Sequence, residues 1–128
     1  MQALLDTHAF LWWIADDARL SANASTIIND GNNQLFLSSV STWEIIIKAQ
    51  LGKLALPSNP EQFIIEQIQR NNLTVMPVQV KHTLAIYQLP LLHRDPFDRM
   101  LVAQSQSEDL PLLTLDPLIA QYAVTTLW

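Results

Sequence analysis

The chain has 128 residues, 49% of them hydrophobic, no cysteine, and a formal charge of −5 from 12 acidic and 7 basic side chains. That length and apolar content allow one domain with a proper core and leave little room for two, and the missing cysteines exclude disulfides and thiolate metal sites and fit a reducing compartment, so the cytoplasm is the expected location. The apolar run Ala9–Ala15 is far shorter than the roughly 20 residues of a membrane span, and Met1-Gln2-Ala3-Leu4-Leu5-Asp6 meets an acid too early for a secretory signal.

The first expected element is a strand, Ala3–Leu5, after which Asp6-Thr7 can cap a helix beginning at His8 and containing Ala9–Ala15. Ser21 opens a helix over Ala22–Asn29. A strand at Leu35–Leu37 leads to Ser41, the expected cap of a helix over Thr42–Leu51 that Gly52 closes. Asn59-Pro60 starts a helix to about Asn71, Leu73–Met76 is strand-like, and Val80–Leu89 reads as a helix stopped by Pro90. Asp95-Pro96 supplies an N-cap and a first-turn proline for a helix over Phe97–Ser107, with Phe97, Met100, Leu101 and Gln104 along one face. A strand at Leu112–Leu115, a short helix over Pro117–Ala123 and a strand at Val124–Leu127 complete the chain. Such alternation of strands and helices implies a parallel sheet with helices on both faces, and ligands of these sheets bind beyond the carboxyl ends of the strands.

Acids gather where that rule says to look. Asp6 follows the first strand and Asp116 the fourth, so both project from one edge; Glu44 lies in the first turn of the helix after the second strand. Asp98 opens the helix leading into the fourth strand, on an edge that depends on the path of Leu91–Arg94. Each acid has an ordinary structural reading. Ser41-Thr42-Trp43-Glu44 fits a capping box, Asp98 suits the positive end of a helix dipole, and Asp116 and Asp6 can each be N-caps. Capping gives no reason for four acids to converge, whereas phosphodiester hydrolysis does. Carboxylates hold Mg²⁺ through oxygen, and one or two such ions activate water and stabilise the leaving oxygen. A negative chain normally binds nucleic acid poorly, but acids that serve as metal ligands remove that objection.

Several segments, in order, carry a family likeness: Leu4-Leu5-Asp6-Thr7-His8; Ser38-Ser39-Val40-Ser41-Thr42-Trp43-Glu44-Ile45; His93-Arg94-Asp95-Pro96-Phe97-Asp98-Arg99-Met100-Leu101-Val102-Ala103-Gln104; Leu113-Thr114-Leu115-Asp116; and Tyr122-Ala123-Val124 with Leu127-Trp128. Taken together they resemble the PIN-domain ribonucleases, and more closely the VapC-type toxins of bacterial toxin–antitoxin modules, over nearly the whole chain. The resemblance implies a Rossmann-like α/β/α sandwich with a central parallel sheet. It also implies a Mg²⁺- or Mn²⁺-dependent ribonuclease whose metal site is Asp6, Glu44, Asp98 and Asp116, with Asp95 left as a cap. RNA is then the substrate, a cognate antitoxin the partner, and a homodimer the expected assembly.

Seven consecutive apolar residues at Ala9–Ala15 exceed the single stripe one helix needs to bury, so Trp12 or Trp13 is expected to meet another chain, the alternative being burial on two sides within the domain. His8, His82 and His93 lack the spacing of zinc ligands and read as packing or surface residues. Lys48, four residues after Glu44, is either its helix ion-pair partner or a phosphate contact; Arg99 carries the same pair of readings, and Trp43 and Trp128 read as core or interface aromatics. Among rival readings, a phosphorylatable receiver domain needs an aspartate closing the third strand, where Thr74-Val75-Met76-Pro77-Val78 has none. A haloacid-dehalogenase-type phosphatase needs Asp-x-Asp where Asp6-Thr7-His8 stands, and a catalytically silent PIN-like binding module would not need all four acids.

Overall fold

A computed structural model describes residues 1–128. Five strands form one parallel sheet in the order β3-β2-β1-β4-β5: β1 is Gln2–Leu5, β2 Gln34–Ser38, β3 Thr74–Met76, β4 Leu112–Leu113 and β5 Thr126–Leu127. The helices are α1 (Thr7–Ile14), α2 (Ala22–Asn29), α3 (Ser39–Gln50), α4 (Pro60–Arg70), α5 (Val80–Ala85), α6 (Pro96–Glu108) and α7 (Pro117–Ala120). This is the α/β/α sandwich expected from the alternation.

Side-chain alternation along the strands builds the two inner faces. Ala3, Leu5, Leu35, Leu37 and Leu113 pack with Ala9 and Phe10 of α1, Ile28 of α2, Ile45 of α3 and Phe63 of α4. Leu4 and Leu112 point the other way, into Val40, Leu101, Val102, Ala103, Ile119 and Tyr122. Each fully buried leucine or phenylalanine contributes roughly 1.5–3 kcal/mol. Sheet order reverses at β1, which pairs with β2 on one side and β4 on the other, with Leu5 opposite Leu113. The carboxyl ends of β1 and β4 therefore emerge side by side, at the switch point where such sheets bind ligands.

Several boundaries differ from the sequence reading. Ser38, not Ser41, caps α3, its hydroxyl accepting from the Val40 N–H at 3.1 Å. The capping box expected at Ser41–Glu44 is thus absent, because helix geometry begins as soon as β2 ends, and Glu44 stands in the second turn. A capping box does form at α5, where the Gln79 N–H donates to His82 Nδ1 at 3.0 Å. The helix expected to run to Leu89 gives way after Ala85 to a 3₁₀ turn over Ile86–Gln88, a tightening common where a helix ends against a proline-led loop. Strand β4 stops at Leu113, and α7 stops at Ala120. Helix α6 buries more than one stripe, including Asp98, Arg99, Val102, Ala103 and Ser105, because it lies between the sheet, α3, α5 and α7.

Candidate active site

Asp6 leaves β1 at the N-cap position of α1, yet its side chain caps nothing. Its Oδ2 instead accepts the Thr114 hydroxyl at 2.7 Å, a bond made available by the pairing of Leu5 with Leu113 one residue earlier. The same hydroxyl accepts the Asp116 N–H at 3.0 Å, so Thr114 ties the two acids that follow β1 and β4. Beside them, the Thr7 hydroxyl donates to Ser41 at 2.8 Å, clamping the start of α1 to α3 one turn before Glu44. Burial pushes the Asp6 carboxyl up from its ordinary range; the Thr114 bond and the nearby His8 charge pull it back, and the Asp116 charge raises it further.

Asp98 reaches the same edge, which answers the question left open by Leu91–Arg94. Asp95 caps α6, accepting from the Phe97 and Asp98 N–H groups at 2.9 and 3.1 Å, and Asp98 is left free of capping. Desolvation is the main reason its carboxyl is pushed up to about 6; the charge of Asp95 adds to this, the His93 hydrogen bond opposes it, and Asp6 and Asp116 raise it further. The charge of Asp116 acts on both Asp6 and Asp98, and that of Asp6 on Asp98, which places the three in one electrostatic neighbourhood. Asp116 keeps its structural role as well, its Oδ1 accepting from the Leu118 N–H at 2.8 Å as the cap of α7.

Glu44 has a strongly basic partner, which the three lack. Only 3% exposed, it accepts from Lys48 Nζ at 2.6 Å, the ordinary helix ion pair. As the side chains stand, no three carboxylates or imidazoles converge tightly enough to share one ion. The donor chemistry nevertheless fits a hard divalent cation. Asp6 and Asp116 have no lysine, arginine or histidine within ion-pair distance, and Asp98 has only His93. Partly buried carboxylates gathered at one edge without a strongly basic side chain between them are the arrangement such an ion relieves.

Three residues bear on the roles expected of them. Arg99 makes no ion pair: it is buried, and Nη1 donates to the Pro90 carbonyl at 2.8 Å and to the Tyr122 hydroxyl at 3.0 Å. His93, read as a packing or surface residue, bonds Asp98 Oδ2 through Nε2 at 3.1 Å. Its position two residues before the Asp95 cap was the available signal, since a chain turning into a helix there folds back over the first turn. Trp43 is no core residue; it lies 58% exposed with its ring edge-on to Phe97 at 5.1 Å. His82, by contrast, is the buried and fully bonded histidine expected, with Nε2 at 2.9 Å from Glu108.

Asp6 and Asp116 open into a cleft of about 330 Å³ that His8, Trp12 and Arg19 also line. His8, Trp12 and Arg19 also line an adjoining, more apolar groove of about 520 Å³ bounded by Leu54, Leu56 and Phe63. Much of the apolar stretch of α1 is covered within the domain: Leu11, Trp13 and Ile14 pack against the core, and Trp13 Nε1 donates to Asn29 at 3.2 Å. Trp12 remains at the groove, edge-on to Trp128 and 4.8 Å beneath the Arg19 guanidinium.

Comparison with known proteins gives concordant matches. The family model for the PIN domain matches residues 3–124. Ribonuclease VapC16 of Mycobacterium tuberculosis is 33% identical over 69 residues, which cover 51% of this chain and 49% of that protein, so the chain spans about half the length of this curated relative. Among solved structures, VapBC2 from Rickettsia felis bound to a DNA fragment from its promoter superposes with a TM-score of 0.74 at 16% identity, over 99% of this chain and 98% of that one. VapBC-1 from nontypeable Haemophilus influenzae gives 0.65 at 17% identity over 99% and 97%. FitAcB from Neisseria gonorrhoeae gives 0.63 at 15% over 100% and 97%. At such identities the likeness is one of fold.

Proposed function

The chain belongs to the PIN-domain family, and from that premise we propose that it is a Mg²⁺- or Mn²⁺-dependent endoribonuclease, the toxin of a toxin–antitoxin pair. The observation that carries this reading is the set of three partly buried acids, Asp6, Asp98 and Asp116, gathered at the carboxyl edge with no strongly basic side chain paired to them, where burial and neighbouring acid charge push Asp6 and Asp98 up. Asp6 and Asp98 would hold the cation, with Glu44 and Asp116 as further donors. When bound, the ion supplies an activated water and stabilisation of the charge that develops on the leaving oxygen.

The chain's own residues do the rest. Thr114 and His93 each engage one oxygen, Oδ2, of Asp6 and of Asp98, which orients the carboxylates. The amino ends of α1 and α6 meet at this edge and carry partial positive charge, which offsets repulsion among the acids and favours a phosphate.

The similar structures VapBC2, VapBC-1 and FitAcB support an antitoxin partner. The groove between α1 and Leu54–Leu56, with Trp12 at its rim, is the surface we assign to it. Pairing of two copies through other helices is the expected assembly. No helix is long and apolar enough to cross a membrane, and action on RNA would place the protein in the cytoplasm. The test is cleavage of an end-labelled RNA panel by the purified chain with Mg²⁺, with Mn²⁺ and with chelator. Cleavage with either ion that stops in chelator supports the reading, whereas no cleavage of any RNA under all three conditions contradicts it.

A further inference from the structure

His93 is tied at both ring nitrogens. Nε2 lies 3.1 Å from Asp98 Oδ2 and Nδ1 2.7 Å from the Tyr122 hydroxyl, with the two rings 5.4 Å apart between centroids. Tyr122 is 4% exposed and follows α7; its oxygen also accepts from Arg99 Nη1 at 3.0 Å. Arg99 in turn is anchored on the Pro90 carbonyl at 2.8 Å, in the loop that carries His93 to the site.

Of the assignments these contacts allow, one leaves no proton without an acceptor. A guanidinium only donates, so the Tyr122 oxygen is the acceptor in its bond to Arg99. The single hydroxyl proton of Tyr122 then has one partner, His93 Nδ1. An imidazole that accepts at Nδ1 carries its proton on Nε2, and that proton is donated to Asp98 Oδ2. Asp98 Oδ1 takes no hydrogen bond from the protein.

We propose that Arg99, Tyr122 and His93 form a one-way donor chain that holds His93 in its Nε2–H tautomer, engages Oδ2 of Asp98 and leaves Oδ1 presented to the divalent cation. His93 and Tyr122 are thus positioning residues. This rests on the reading of Asp98 as a metal donor. Partners of this kind fix the orientation of a ligand side chain before the ion arrives, and their removal typically costs 10- to 100-fold in metal affinity.

The test uses the full chain without RNA. Nitrogen NMR of histidine-labelled, metal-free protein reports the tautomer of His93, and titration with Mn²⁺ reports affinity for wild type, His93→Ala, His93→Gln, Tyr122→Phe and Asp98→Asn. The Nε2–H form is expected in wild type and a mixture of tautomers in Tyr122→Phe, which keeps the ring and its packing and so is expected to fold. Mn²⁺ affinity should fall about 10-fold or more in His93→Ala and Tyr122→Phe. His93→Gln, whose amide N–H sits near the place of Nε2–H, should recover much of the loss, as a merely structural role would not require. An Nδ1–H tautomer in wild type overturns the inference, as does unchanged affinity in both His93→Ala and Tyr122→Phe while Asp98→Asn binds weakly. Wild-type Mn²⁺ affinity in Asp98→Asn overturns the metal reading itself, and the inference with it.

Discussion

The Thr114 hydroxyl donates to Asp6 across 108 residues of sequence while accepting the Asp116 N–H, so one side chain sets the spacing of two of the proposed metal donors. Thr114→Val keeps the shape of the side chain and removes both bonds. The Asp6 carboxyl, already raised by burial, then rises further, and the acidic limb of the pH–rate profile for RNA cleavage should move to higher pH. Leaving buried polar groups unpaired costs roughly 1–3 kcal/mol, visible in thermal melting. An unchanged acidic limb would show that Thr114 serves the fold alone.

Burial of the Asp98 carboxyl, helped by the acids around it, predicts how the metal-free protein responds to pH. The Asp98 carboxyl stands at about 6 in the folded chain against 3.8 for the free side chain, so between those values the folded state binds more protons than the unfolded one. Stability in chelator should therefore fall as pH rises through that window. Asp98→Asn should flatten the slope and melt at or above the wild-type temperature near neutrality. A stability that rises from pH 4 to 6 in wild type, with the same slope in the variant, would contradict the assignment.

Glu44 and Lys48 are linked at 2.6 Å, with Glu44 the buried partner. Lys48→Met strands that carboxylate and should destabilise the protein in chelator by about 1–3 kcal/mol. Saturating Mn²⁺ should reduce the loss if Glu44 joins the metal site. Equal losses with and without Mn²⁺, measured by chemical denaturation, would leave Glu44 a structural residue.

Trp12 and Trp13, adjacent in sequence, face different surroundings, and their alanine variants should separate. Trp12 lines the apolar groove, so Trp12→Ala should weaken antitoxin binding at least tenfold, or about 1.4 kcal/mol, with little change in cleavage by the free protein. Trp13 packs against the core and bonds Asn29. Its truncation should lower the melting temperature, as loss of buried aromatic volume does. Affinity unchanged in Trp12→Ala would move the antitoxin to another surface.

Local signals made much of the fold legible. Asp95-Pro96 marks the start of α6 because cap and proline act within one turn, and the apolar runs locate every strand to within a few residues. Ser41 is the cap that local sequence suggests for α3, yet Ser38 takes the role because β2 pairs with β3 as far as Ser38 opposite Met76, a long-range fact. The site divides in the same way. Asp6 and Asp116 could be placed at one edge from strand ends alone, but the Thr114 bond needs the neighbouring of β1 and β4, which sequence order hides. His93 was passed over because its partners, Asp98 and Tyr122, meet it only through the fold of the loop before α6 and the turn after α7. Periodicity in α6 marks one buried stripe and leaves Arg99 outside it, whereas the folded helix is enclosed on several sides.

The most direct test of the account is the rate of RNA cleavage by wild type and Asp98→Asn, measured side by side in Mg²⁺ and in chelator. An amide keeps the shape of the carboxylate and lacks the charge that holds a hard cation. Cleavage should be seen with wild type in Mg²⁺, stop in chelator, and drop at least about 100-fold in the variant, an effect of the size expected when a group acting on the transition state is lost, with the fold retained by circular dichroism. Cleavage by Asp98→Asn at the wild-type rate, or wild-type cleavage that persists undiminished in chelator, would contradict the claim that these acids form a metal-dependent nuclease centre.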